Sequence, residues 1–158
     1  MAASGAVALY HVESMTPEAN DTHTEGLETI HVGEEELKET YEALNTGETP
    51  DIVIAGCPHA SLREIIDIAQ AIKGKTLKRE LWVCTSRSTK EVAERMGLDN
   101  IIEEAGGHIV ADTCMVVSPI EEMFKTTAVN SGKAATYLPG FCQQKVVFNN
   151  IRKLVEEA

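Results

Sequence analysis

The residues of this sequence most suited to chemistry are two cysteines, each of which follows an apolar segment. Cys57 lies in "GCPHAS", after the apolar run 52–54, and Cys114 lies in "ADTCMVVSP", after the segment 108–112. Thiolates bind soft metals and iron–sulfur clusters. Two thiols that follow parallel strands would lie at one edge of the sheet and can share a site. The alternative is that each is a small buried residue, because free cysteine is among the most buried residue types.

The other two cysteines fit that alternative better. Cys84 lies inside the apolar strand "ELWVCT", and Cys142 in "PGFCQQ" has no polar motif beside it. His59 follows Cys57 by two residues, so it is a candidate to hydrogen-bond a substrate hydroxyl or to orient Cys57. It can equally be a surface histidine beside a helix. Asp112 and Glu64 are nearby acidic residues, but neither is assigned as a catalytic base.

The segment "NSGKAATY" at 130–137 has the features of an anion site. Asn130 or Ser131 can cap a helix, Gly132 lets a ligand approach the backbone, and Lys133 adds a positive charge beside free N–H groups. The segment is not a Walker loop, because Ala134 follows the lysine where that motif needs Ser or Thr. An ordinary capped helix with a solvated lysine is the alternative interpretation.

An alternation of strands and helices must position these residues. The predicted strands are 6–12, 27–32, 51–56, 80–85, 108–112 and 145–148. Predicted helices follow Gly33, begin at the caps Ser61, Ser88 and Ser118, and close the chain in "NNIRKLVEEA". This rhythm predicts a layered α/β domain with a mostly parallel sheet flanked by helices. We expect one such domain over residues 1–158.

Composition narrows the class of protein. The chain has 158 residues and 43% hydrophobic residues, enough to bury a core. Its formal net charge of −11 argues against nucleic acid and anionic membranes as partners. No apolar stretch is long enough to span a bilayer, and the start of the chain lacks the pattern of a signal peptide. Four cysteines are too few for a disulfide scaffold, so we expect a cytoplasmic protein with reduced thiols.

Four motifs in this order resemble the C-terminal part of the aconitase X catalytic domain. They are "ALYHVESMTPEA", "GCPHAS", "ADTCMVVSP" and "NSGKAATYLPG", and together they span nearly the whole chain. The resemblance implies an aconitase-like fold and an iron–sulfur hydro-lyase. It also implies that the chain is the C-terminal portion of a catalytic subunit whose N-terminal part is absent here.

The resemblance assigns roles to individual residues. Cys57 and Cys114 match cluster ligands, with the third cysteine outside this chain, and Lys133 matches a lysine that contacts an anionic group of the substrate. Asn130 and Ser131 are assigned to substrate binding beside it. The expected cofactor is a 4Fe-4S cluster, with 2Fe-2S as the alternative. The base is expected to be a serine on a small subunit with a swivel-type domain.

The preferred reaction is dehydration of mevalonate 5-phosphate to anhydromevalonate phosphate, in the mevalonate pathway of isoprenoid biosynthesis. Dehydration of cis-3-hydroxy-L-proline is the alternative, because Lys133 can serve a phosphate or a carboxylate. The isolated chain is expected to be inactive. Two non-enzymatic hypotheses remain open at this point: a regulatory module that binds an anion or a metal, and a structural domain whose cysteines belong to the core.

Overall fold

The sheet has five strands, all parallel. The computed structural model describes residues 2–157. The strands are β1 Ile52–Ala55, β2 Glu80–Thr85, β3 Gly107–Ala111, β4 Thr126–Val129 and β5 Lys145–Phe148, in the spatial order β3-β2-β1-β4-β5. Because β1 pairs with β2 on one side and with β4 on the other, it lies at the centre of the sheet. Because all five strands run in the same direction, every loop that follows a strand leaves the sheet at the same edge.

The helices cover both faces of this sheet. They are α1 Ala2–Gly5, α2 Glu34–Leu44, α3 Leu62–Ile72, α4 Arg87–Arg95, α5 Leu98–Glu104, α6 Ile120–Met123, α7 Gly132–Cys142 and α8 Ile151–Glu157. Two short 3-10 helices, Pro17–Asp21 and Met115–Val117, lie in the connections. The arrangement confirms the predicted layered α/β fold with a parallel sheet.

Strand β1 separates two hydrophobic layers. Val53 and Ala55 face the layer formed with α3, α4, α5 and α8, whereas Ile52 and Ile54 face the layer formed with α6 and α7. All four side chains are buried, since a parallel strand covered on both faces needs apolar residues at every position. Burying each of the larger side chains contributes about 1.5–3 kcal/mol. The centre of the sheet is therefore a rigid base for the loops at its edge.

The sequence located four of the five strands. The predicted segments 51–56, 80–85, 108–112 and 145–148 coincide with β1, β2, β3 and β5 within one residue at each end. Strand β4 was missed because "TTAV" has two threonines. Thr127 is buried in the sheet, and its hydroxyl donates a hydrogen bond of 2.9 Å to the side-chain oxygen of Gln144. A buried threonine with a hydrogen-bond partner thus stands where an apolar residue would have indicated a strand.

Two predicted helix caps were misplaced. Helix α4 begins at Arg87, and its cap is Ser86, whose hydroxyl accepts the backbone N–H of Thr89, rather than Ser88. Ser118 does not cap α6, because its hydroxyl donates to the carbonyl of Met115 at 3.0 Å. Ser61 does cap α3, and the closing helix is α8.

The predicted strands 6–12 and 27–32 are wrong, since neither segment forms a strand. Between residues 5 and 50 no side chain is buried, and several large apolar side chains are open to solvent. Leu9, Met15 and Ile30 are each more than three-quarters exposed. These segments have the alternation of strands but no neighbouring strand to pair with.

Residues 45–47 join this region to the sheet. Asn45 accepts the backbone N–H of Phe148 at 2.7 Å, and Thr46 accepts that of Val146 at 2.9 Å. Tyr41 on α2 stacks at an angle on Phe148, with ring centroids 4.9 Å apart. These contacts cover the outer edge of β5, which would otherwise expose unpaired backbone groups.

Gly56 is required where β1 ends. Its φ is +102°, and a Cβ atom there would overlap the carbonyl oxygen of Cys84 on β2. We expect Gly56→Ala to lower the free energy of unfolding by at least about 2 kcal/mol, from backbone strain and steric overlap together. Chemical denaturation of both proteins measures this difference.

Gly140→Ala is the matched control, because Gly140 lies in α7 with nothing within 4 Å of its added Cβ. We expect it to be neutral or slightly stabilising. Equal stability of the two variants would contradict the steric account of Gly56.

Candidate functional site

A cleft of about 230 Å³ opens at the carboxyl edge of the sheet, between the loops that follow β1 and β4. Strands β1 and β4 are neighbours in the sheet, and the connections that follow them go to opposite faces. Helix α3, which follows β1, lies on one face, and α7, which follows β4, lies on the other. Ligands of open α/β sheets bind at such a position. The cleft is lined by Gly56, Cys57, Pro58, His59, Glu64, Asn130 and Ser131.

Four residues selected from the sequence interact here: Cys57 with Ser131, Lys133 and Cys114. Burial raises the pKa of the half-buried Cys57 thiol from its usual value, whereas a hydrogen bond from Ser131 and the charge of Lys133 lower it. The neighbouring Cys114 raises the pKa of Cys57 slightly, as a second ionisable thiol does. Burial is the largest of these effects, so the surroundings of Cys57 disfavour its thiolate form.

Ser131 has two roles at the start of α7. Its hydroxyl accepts the backbone N–H of Ala134 at 3.2 Å, which caps the helix, and its side chain also hydrogen-bonds Cys57. Asn130 precedes it and lines the cleft. Lys133 is exposed on the first turn of α7 and lies outside the cleft lining, but close enough for its charge to act on Cys57. The predicted anion-binding segment therefore borders the predicted thiol site.

Cys84 is a third thiol close to Cys57 and Cys114, and the sequence had not predicted that it would lie near them. It lies at the carboxyl end of β2 and is only 1% exposed. Burial, with smaller effects from Cys114 and Cys57, raises its pKa to about 11, against a hydrogen bond from the Met115 backbone that lowers it. A thiol with this pKa remains protonated and buried, in agreement with the interpretation of Cys84 as a core residue. Its position near the end of the predicted strand 80–85 was the signal available.

The acidic candidates are already bonded within the fold. Glu64 lines the cleft, but its carboxylate accepts the backbone N–H and the hydroxyl of Ser61, both at 2.8 Å. Asp112 accepts the backbone N–H of Arg87 at 2.9 Å and its Nε at 3.0 Å. These bonds, with smaller effects from the charges of Arg87 and His59, lower the pKa of Asp112. A carboxylate held this way is a poor proton acceptor.

His59 joins two loops. It is exposed, and its Nε2 lies 3.0 Å from the carbonyl oxygen of Thr113, the residue before Cys114. Sequence reasoning missed Thr113 and Arg87, because each acts through a contact between segments that are far apart in the chain. No local motif signals such contacts.

Comparison with known proteins identifies the family. The family model of the aconitase X third domain matches residues 50–158, and that of the second domain matches residues 1–42. The chain belongs to the aconitase X family. It is 52% identical over 99% of its length to the phosphomevalonate dehydratase large subunit of Methanocaldococcus jannaschii, and covers 40% of that protein. It is 32% identical to the cis-3-hydroxy-L-proline dehydratase of Pseudomonas aeruginosa over 98% of its length, covering 29% of that protein.

A solved aconitase X structure has the same fold. The holo-form from Thermococcus kodakaraensis superposes with a TM-score of 0.91 at 41% identity, over 99% of this chain and 41% of that one. The chain thus spans about 40% of the length of the phosphomevalonate dehydratase relative from M. jannaschii. In residues 2–157 no helix is both long and apolar enough to cross a membrane.

The two half-exposed thiols are chemically suited to form part of an iron–sulfur site. Cys57 and Cys114 are both half-buried and free, and each is near the other. Soft thiolates are the ligands such clusters need. In the part of the chain that the structure describes, no group of three or more His, Cys, Asp or Glu side chains could hold a metal ion.

The electrostatic contact between Lys133 and Cys57 can be tested in the chain itself. Because the ammonium group favours the thiolate, Lys133→Ala should raise the pKa of Cys57 further and slow its reaction with iodoacetamide at pH 8. Mass spectrometry of the Cys57 peptide across a pH series measures this pKa. Lys153→Ala, an exposed lysine on α8, is the control and should leave the profile unchanged. Identical profiles for all three proteins would remove Lys133 from the surroundings of Cys57.

Proposed function

We propose that this chain is the C-terminal portion of an aconitase X catalytic subunit, contributing Cys57 and Cys114 to the iron–sulfur centre of a hydro-lyase. The observation that carries the proposal is the pair of half-buried thiols beside Ser131 and Lys133 at the carboxyl edge of the sheet. We take mevalonate 5-phosphate as the substrate, because the relatives with 41–52% identity are phosphomevalonate dehydratase large subunits. The rival substrate is cis-3-hydroxy-L-proline, named for more distant relatives.

The residues of this chain have distinct parts in the proposed reaction. An iron–sulfur cluster with an open coordination position supplies a Lewis acid that polarises a hydroxyl group. Lys133 and the N-terminus of α7 attract the phosphate or carboxylate of the substrate and so orient it in the cleft. Asn130 and Ser131 offer polar groups along the cleft wall. Asp112 and Glu64 are already bonded within the fold, and the resemblance to the family implies that a serine on the small subunit takes the proton.

The remaining ligands and partners lie outside these residues. We propose that the N-terminal part of the large subunit supplies the third cysteine, and that a small swivel-domain subunit closes the cleft. A 4Fe-4S cluster suits a site with three cysteines and one open position. All four cysteines of the described chain are free, which agrees with a reducing cytoplasm.

Reconstitution tests the function. The chain joined to the N-terminal part of the large subunit, and assembled with the small subunit, is loaded with iron and sulfide without oxygen. We expect cluster absorbance and dehydration of mevalonate 5-phosphate, and loss of both in Cys57→Ser and Cys114→Ser. Cys84→Ala is the control, since Cys84 is only 1% exposed and belongs to the core, and it should retain both.

Each other result has a defined meaning. Turnover of cis-3-hydroxy-L-proline alone would change the substrate. Cluster or anion binding without turnover of either compound would favour a regulatory module. Full activity of both serine variants would show that these cysteines belong to the core, and would refute the proposed ligands.

The exposed apolar residues of segment 6–44 form the proposed interface with the N-terminal part of the subunit. They are Val7, Leu9, Tyr10, Val12, Met15, Leu27, Ile30, Val32, Leu37 and Tyr41. An exposed apolar surface of this extent marks an interaction site. The match of residues 1–42 to the second-domain model supports the same assignment.

We expect the chain by itself to bind a hydrophobic dye such as ANS. Leu9→Ser combined with Ile30→Ser should reduce that binding without lowering the melting temperature, because both side chains are exposed. Val117→Ser is the matched control, since Val117 is 76% exposed, as Leu9 is, but lies outside the segment. Dye binding that is equal in all variants would argue against this interface.

A further inference from the structure

Segment 112–117, here called the Cys114 loop, is held on the side of β2 by its first residue. Asp112 has φ +58°, a left-handed conformation that Asp adopts more readily than most residues. Its backbone N–H donates to the carbonyl of Thr85 at 2.9 Å. Its two carboxylate oxygens separately accept the backbone N–H and the Nε of Arg87. The charged acceptor lies at the N-terminus of α4, where the helix dipole strengthens the contact.

The loop is held on the side of β1 by His59. Because a carbonyl oxygen can only accept, Nε2 of His59 carries the hydrogen that it donates to Thr113. His59 follows Cys57 by two residues, and Thr113 precedes Cys114 by one. This single bond therefore joins the two turns that carry the candidate ligands.

The far end of the loop is anchored in the core. The thiol of Cys142 on α7 lies 3.6 Å from the carbonyl oxygen of Val116, and the side chain of Met115 is 1% exposed. The backbone is thus fixed on both sides of Cys114, while Cys114 itself stays half-exposed. That combination is what a metal ligand needs, namely a fixed origin and an accessible sulfur.

We propose that His59 and Asp112 are positioning residues that hold the sulfur of Cys114 at a set distance from Cys57 for binding one iron–sulfur centre. This inference rests on the proposed function. It assigns His59 a role through the backbone of the Cys114 loop, rather than through Cys57 or a substrate hydroxyl. Asp112 has a role in orientation, since its carboxylate is fully occupied by Arg87.

The test measures iron retention in the reconstituted complete protein. We expect His59→Ala and Asp112→Asn to release iron to a chelator about tenfold faster than the unaltered protein, the usual scale for partners that orient ligands. The EPR spectrum of the reduced cluster should also change. His59→Gln, whose amide N–H can replace the donor at Nε2, should restore slow release.

Asp67→Asn is a closely matched control. Asp67 faces the Nε of Arg63 at 3.2 Å with 48% of its side chain exposed, whereas Asp112 faces that of Arg87 at 3.0 Å with 47% exposed. It removes the same kind of ion pair away from the Cys114 loop. We expect iron release and the EPR spectrum to be unchanged.

A second measurement does not need the cluster. In the metal-free complete protein, hydrogen exchange of the backbone amides at 113–117 should be faster in His59→Ala and Asp112→Asn than in Asp67→Asn. Unchanged exchange and unchanged iron release in a protein that holds its cluster would overturn the positioning role and leave the proposed function intact. Failure of the unaltered protein to take up iron would refute both.

Discussion

All five strands run in one direction, so each loop that follows a strand leaves the sheet at the same edge. Pairing of β1 with both β2 and β4 fixes which loops become neighbours there. Cys57 after β1 then lies near Ser131 after β4, although 74 residues separate them in the chain. The close approach of Gly56 to Cys84 belongs to the same constraint, because β1 can turn out of the sheet there only without a side chain. The loop that carries Cys114 reaches the same edge through the pairing of β2 with β3.

Within that geometry, opposing electrostatic effects set the state of the thiols. Burial disfavours the thiolate of Cys57, while Lys133 and the Ser131 hydrogen bond favour it, and burial has the larger effect. On the proposed function, a cation that replaced the thiol protons would reverse this balance, because its charge would interact with both sulfurs in a partly buried site. Cys84 differs in degree: nearly complete burial leaves it protonated beside the same two sulfurs. Exposure, more than distance, distinguishes the candidate ligands from the core thiol.

Structural features that depend on a few neighbouring residues were predicted from the sequence, whereas features that depend on contacts between distant residues were missed. The apolar run 52–54 and the capping pair of Ser61 and Glu64 indicated β1 and α3 correctly, because burial and capping act over a few residues. Strand β4 escaped because Thr127 depends on Gln144, and the bond from His59 to Thr113 spans 54 residues. Segment 6–12 was wrongly taken as a strand, since alternation indicates the tendency to pair but cannot supply the partner. The argument from parallel strands placed Cys57 and Cys114 at one edge of the sheet, and the family resemblance, carried by four ordered motifs, assigned both to one cluster.

The distribution of buried residues separates folding from assembly. Among the described residues, the core draws on residues 52–155, and its buried thiols are those of Cys84 and Cys142. The candidate ligands lie instead at an open edge, with too few partners among residues 2–157 to enclose a metal. On the proposed function, completing the ligand set and covering segment 6–44 are one event, the docking of the rest of the subunit. A cluster that needs ligands from both parts then binds tightly only in the assembled protein, because a metal stabilises the state that holds all of its ligands.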